Sequence, residues 1–303
     1  MKTKILAYLQ LTRLPNVITA AADGLTGYLL IGGSLGDFSA WAPIVAASAS
    51  IYAGGVALND VLDAPADRIE RPDRPIPSRS VSLRSAWIVS VCSLTLGIAF
   101  AALARSPRTV AVAASLVLTV VLYNSFFKKT ILGPEAMGTC RGLNLLMGMS
   151  AASLSGGRIC WFTAAAFGLY VTGITWISRS EVSARDNRGI IAGSLIENLA
   201  FVGIFLAIMS SRDFPNTTGD RPIVPIVGLL ALLLEAMWVN LHSGEAIREP
   251  TPEKVQAAVR TGVLSLVGIN FALAASVRGV APALAVAFCW ILARIAARTM
   301  KVT

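Results

Sequence analysis

Ten runs of about 20 predominantly apolar residues follow one another along this chain, and that repetition constrains the fold more than any single motif. They lie at roughly 14–33, 41–62, 85–104, 109–127, 136–155, 160–178, 190–210, 222–241, 258–277 and 280–297. At 1.5 Å per residue each is long enough, as a helix, to cross a hydrocarbon core about 30 Å thick. In that core every backbone polar group must be satisfied internally, so continuous apolar runs of this length are read as helices. Composition agrees. The 303 residues are 55% hydrophobic and only 14% charged, where soluble domains carry about a quarter charged. Connections are short, and none could bury a core of its own. Residues 1–303 are therefore expected to form a single integral membrane domain of class all-α, a polytopic helical bundle. The Gly-rich run 136–155 is counted among nine core transmembrane helices, and the Pro-started run 280–297 is a tenth, C-terminal helix.

A formal net charge of +9 would suit nucleic acid, but its placement argues for topology instead. With the N-terminus inside, 20 of the 26 Lys and Arg fall on the inner side. Only Arg105, Arg108, Arg158, Arg212, Arg221 and Arg278 fall outside. This bias predicts that both termini are cytoplasmic and speaks against nucleic acid as a partner; the expected setting is a bacterial inner (plasma) membrane. Lys2 and Lys4 ahead of LAYL resemble the start of a signal peptide, but Arg13, Pro15 and Asn16 interrupt it, and the segment reads as retained. Cys92, Cys140, Cys160 and Cys289 are scattered singly, without metal-ligand spacing. One histidine, His242, rules out a histidine-cluster metal site. No repeat of 20 to 50 residues appears.

Polar residues gather in two inner loops, 59–84 and 178–189. In the first, LNDVLDAPADRIERPDRPIP, Asp60, Asp63 and Asp67 stand at i, i+3 and i+7, within about 60° of one another around a helix. Three co-facial carboxylates repel unless a cation sits between them. Without nearby His or Cys, oxygen-only ligation favours Mg²⁺, which takes a few carboxylates together with waters and substrate phosphates. Asn59 can add an amide oxygen. Arg68, Arg71, Arg74 and Arg79 follow, and guanidinium forks match phosphate oxygens. Acids, metal and arginines together describe a diphosphate site at the membrane surface. Topology alone needs only the bases.

NDVLDAPADRIERPDRPIPS resembles the first aspartate-rich motif of the UbiA superfamily of intramembrane prenyltransferases, an NDxxDxxxD core followed by RPxRPIPSG. Asn59, Asp60, Asp63 and Asp67 match the core; Arg71 through Ser78 match the extension, with Arg79 in place of Gly. The resemblance implies a bundle of about nine spans. It also implies Mg²⁺-dependent transfer of a prenyl group from a prenyl diphosphate to a lipophilic acceptor, aromatic or polyol-like, among membrane lipids. LYNSFFKKTILGPEAMGTCRGLN is similar to the family's Tyr-to-Lys stretch and following helix. By position Tyr123 would line the cavity, Lys128 or Lys129 would reach the diphosphate, and Arg141 and Asn144 would lie inside the bundle. Asn16 and Asp23 share a face of the first span, and acids within spans are functional candidates; Glu197 and Glu235 are weaker cases.

The family's second aspartate motif is reduced here to ITWISRSEVSARDNRG. Only Glu181 and Asp186 are acidic, five residues and so about 140° apart on a helix. They are the expected remnant of a second metal site, with Arg179, Arg185 and Arg188 adding positive charge. RLPN with an aspartate in the first span, the weak second motif and the extra last helix are similar to the EboC-like branch. Two other readings stand beside the enzyme: a non-catalytic protein that binds or moves an isoprenoid lipid, and a secondary transporter, which predicts half-repeats that the sequence lacks.

Overall fold

The computed structural model describes residues 2–151, 157–180, 187–210 and 223–299. The expected runs become α2 (Leu14–Leu30), α3 (Phe38–Glu70), α4 (Leu83–Leu103), α5 (Pro107–Leu122), α6 (Gly133–Met149), α7 (Gly157–Arg179), α8 (Arg188–Met209), α9 (Ile223–Arg248), α10 (Pro252–Arg278) and α11 (Val280–Thr299). A short α1 (Lys2–Leu11) precedes them and was not anticipated as a separate element. It ends because Arg13 adopts a left-handed conformation, φ 49°, just before α2 begins with Pro15 in its first turn. Among the described residues there is no strand.

Among the described residues, seven helices are both long and apolar enough to cross a membrane: α3, α4, α5 with the turn that continues it to Phe127, α7, α8, α9 and α10. In α11 the apolar part, Val280–Ala296, is shorter. α2 and α6 have 17 residues each, most of them buried. Their polar content makes sense in that position: they pack against other helices rather than lipid, so they can carry Asp23, Arg141 and Asn144. The two approach closely because Gly27 and Gly148 face each other's backbone; a Cβ on Gly27 would overlap the Leu145 carbonyl, and one on Gly148 the Gly24 carbonyl. α11 packs on α2 and α10, closing the bundle on that side.

α3 is the exceptional element. Asp37 caps it by accepting from the Ala40 N–H at 3.2 Å, and its 33 residues span about 50 Å, roughly 20 Å more than the hydrocarbon core. Its last turns, from Asn59 to Glu70, carry all of its charged residues. The NDxxDxxxD core rides on those turns.

Candidate active site

A cavity of about 280 Å³ opens between α3, α5 and α6. Its mouth is charged. Asn59, Asp63, Arg71, Arg74 and Lys128 line it there, while Asp60 and Asp67 stand behind that lining, nearly buried, 4% exposed each. Asp60 accepts from Arg13 Nη2 at 3.1 Å and lies 3.6 Å from Arg74 Nη1; Asp67 accepts from the same Arg74 nitrogen at 2.7 Å. Asp63 pairs with Lys128, whose Nζ also donates to Asn59 Oδ1 at 2.7 Å. Asn59 Nδ2 in turn donates to Asp60 Oδ1 at 3.3 Å and Asp63 Oδ2 at 3.2 Å.

The three aspartates thus do not converge as the spacing predicted, and no group of three or more His, Cys, Asp or Glu among the described residues is placed to hold a metal ion. The reason is that the acids are turned onto cations: Asp60 onto Arg13, Asp63 onto Lys128 and Asp67 onto Arg74, which also lies near Asp60. Asp67 in particular faces Arg74 and holds it in place. Asp60 and Asp63 do present oxygens to one common point, the Asn59 amide nitrogen. Two hard carboxylates meeting at one point suit one Mg²⁺ completed by water and phosphate; the Asn59 amide oxygen itself faces Lys128.

Lys128 and Lys129 are resolved by local geometry. α5 runs on into a single π turn, Tyr123–Phe127, closed by the Lys128 N–H on the Tyr123 carbonyl at 2.8 Å. The wide turn aims Lys128 into the cavity and leaves Lys129 exposed and outside it. Arg179, at the end of α7, fixes that turn from behind by donating to the carbonyls of Lys128 at 2.9 Å and Thr130 at 2.5 Å. Its Nη2 is therefore engaged with backbone.

Arg74, Tyr123, Arg141 and Asn144 line the cavity. Arg68 does not; it is exposed on the outer face of α3. Asn16 is half-buried beside α1 and also lies off the lining. Glu181 and Asp186 lie outside the described residues. Arg71, one of the arginines of the first inner loop, also lines the cavity, and so do four polar residues that the sequence does not single out as site residues: Arg13, Ser48, Tyr52 and Asn124. Arg13 was visible only as a break in an apolar run, and Tyr52 only as a residue seven before Asn59.

The inner end is a second polar cluster. Asp23 is fully buried and accepts from Arg141 Nη1 at 2.5 Å, Asn144 Nδ2 at 3.2 Å and Asn270 Nδ2 at 2.7 Å. Arg141 Nη2 donates to Thr19 Oγ1 at 3.0 Å, and its guanidinium lies 5.0 Å from the centre of the Tyr52 ring. Ser48 donates to Asn144 Oδ1 at 2.7 Å. Between the two ends the walls are largely apolar: Ile51, Val56, Leu116, Val120 and Met137.

The chain resembles known proteins in both sequence and fold. The profile of the UbiA prenyltransferase family matches residues 21–245. A digeranylgeranylglyceryl phosphate synthase from Methanoculleus marisnigri is 35% identical over 153 residues, 50% of this chain and 53% of that protein. The chain thus matches only about half the length of this relative. A UbiA homologue from Aeropyrum pernix, solved without ligand, superimposes with a TM-score of 0.68 at 19% identity, over 84% of this chain and 96% of that one. A UbiA homologue from Archaeoglobus fulgidus bound to geranyl diphosphate (GPP) and Mg²⁺ gives 0.59 at 15% identity, over 84% and 98%. At these identities the solved structures speak for the fold. The relatives are archaeal and lend nothing to the expected bacterial membrane; an integral membrane protein is common to both. With well over half of its length under the family profile, this chain belongs to the UbiA prenyltransferase family.

Proposed function

We propose that residues 1–303 act as one prenyltransferase domain, moving a prenyl group from a prenyl diphosphate to a lipophilic acceptor with Mg²⁺. The observation that carries this is the mouth itself: Asp60, Asp63 and Asp67 interleaved with Arg13, Arg74 and Lys128 above an apolar-walled cavity. Asn59, Asp60 and Asp63 would hold the cation, which when bound offsets charge on the leaving diphosphate. Arg71, Arg74 and Lys128 would bind phosphate oxygens, with Asp67 orienting Arg74. Lys128 exchanges its carboxylate for phosphate as the ligand enters. Ionisation breaks the C1–O bond, and the electron pair leaves with diphosphate. The allylic cation then sits among Ile51, Val56, Leu116 and Val120, which exclude water. The acceptor bonds to C1 and its proton passes to the released diphosphate. Glu181 and Asp186 would complete the phosphate end from the second inner loop. The mouth would face the cytoplasm, the side to which the charge bias assigns 20 cations.

A second reading, a non-catalytic isoprenoid-lipid carrier, is favoured by the reduction of the second acidic motif to Glu181 and Asp186. Purified protein in nanodiscs, given Mg²⁺, radiolabelled prenyl diphosphates and a broad acceptor panel, distinguishes the two. The enzyme releases pyrophosphate and forms a labelled adduct. Binding without release across the whole panel would assign the carrier role.

A further inference from the structure

The inner end of the cavity constrains the acceptor by its charge. Both oxygens of Asp23 are taken, Oδ1 by Asn270 and Oδ2 by Arg141 and Asn144. One carboxylate and one guanidinium leave this end with no net charge, and the other groups there, Thr19, Ser48, Tyr52, Asn144 and Asn270, are neutral. A guanidinium has five N–H groups. Two nitrogens of Arg141 have acceptors, Asp23 and Thr19; among the described residues no further acceptor meets it. Yet Arg141 lines the cavity. The inner end therefore offers spare donors without spare charge.

That combination selects between ligands. An anionic head brought here would be desolvated with no counter-charge, because Asp23 already neutralises Arg141, and an unpaired buried charge is far costlier than a hydrogen-bonded dipole. A neutral group with oxygen lone pairs meets the spare donors at no such cost. Length narrows the choice further. Tyr52, beside Arg141, and Asn59, at the mouth, are seven residues apart on α3, about 10 Å along its axis. A substituted ring or a short polyol fits within that distance together with C1 of the prenyl group, whereas a long chain along the axis would run its apolar end into a polar cluster.

We infer that the acceptor is a compact, uncharged molecule whose hydroxyl, carbonyl or amide oxygen is held by Arg141 at the inner end while its nucleophilic end points to the mouth. This rests on the prenyl-transfer reading and deepens it. It also sets this chain apart from relatives named for a phosphate product.

A pair of probes matched in shape but not in charge tests it: 4-hydroxybenzamide and 4-hydroxybenzoate. Each is titrated, by calorimetry in nanodiscs, onto protein loaded with Mg²⁺ and geranyl thiolodiphosphate, which does not ionise readily. The amide is expected to bind about tenfold tighter or better, a difference of about 1.4 kcal/mol. Asp23→Asn gives the inner end a net positive charge and should narrow or reverse that preference by about tenfold. In the double variant Asp23→Asn/Arg141→Gln, which restores neutrality without the guanidinium donors, amide affinity should fall while thiolodiphosphate affinity is kept. The inference is overturned if the carboxylate binds as well as the amide in the unaltered protein, if neither probe binds, or if the double variant binds the amide unchanged. Loss of thiolodiphosphate binding in the unaltered protein would instead remove the prenyl-transfer reading itself.

Discussion

The two polar ends of the cavity use the same chemistry, carboxylates paired with cations, under opposite conditions. At the mouth the outer cations, Arg13 and Lys128, keep 29% and 28% of their side chains exposed, while Asp60, Asp67 and Arg74 behind them are nearly buried, and the acids share partners with one another. At the inner end Asp23 is fully buried and the Arg141 side chain is 8% exposed. Exposed pairs are worth about 0–1 kcal/mol and rearrange readily, whereas breaking a buried one costs about 3–5 kcal/mol. The Arg13 and Lys128 pairs are therefore suited to trading partners with an incoming ligand, and the inner end to holding its shape.

The largest expected effect tests that contrast directly. Arg141→Met strands Asp23 and should lower unfolding stability by about 3–5 kcal/mol, read from denaturation midpoints in nanodiscs. If Arg13→Gln at the mouth costs as much, the contrast is wrong. Next comes Asp63→Asn, which removes a carboxylate from the point shared with Asp60 and Asn59. Mg²⁺-dependent prenyl diphosphate affinity should fall about a hundredfold with little change in stability, and survival of that affinity would reject the ligand assignment. Asp67→Asn should be milder, about tenfold, because it only releases Arg74. A smaller comparison separates adjacent lysines: Lys128→Ala should weaken diphosphate binding about fivefold, and Lys129→Ala should leave it unchanged.

The legible parts of this molecule were those written in contiguous residues. The helical segments follow from hydropathy alone, and the mouth's acids from spacing on one helix. Asp23 and Arg141 stood out singly, since charge inside a span is costly, but 118 positions separate them and only the glycine contact between α2 and α6 makes them partners. The choice of Lys128 over Lys129 depended on one π turn, a backbone irregularity with no residue signature of its own. Arg13 needed a left-handed backbone to reach Asp60. Arg68 shows the reverse error: it belongs to the charged stretch yet sits on the wrong face of α3.

α3 carries residues of both ends, Ser48 and Tyr52 at one and Asn59 and Asp63 at the other, on one uninterrupted helix. It serves as a gauge: however the neighbouring helices breathe, the separation and bearing of these groups stay fixed. One residue inserted between Tyr52 and Asn59 would lengthen the gauge by only 1.5 Å but turn its two scales about 100° out of line.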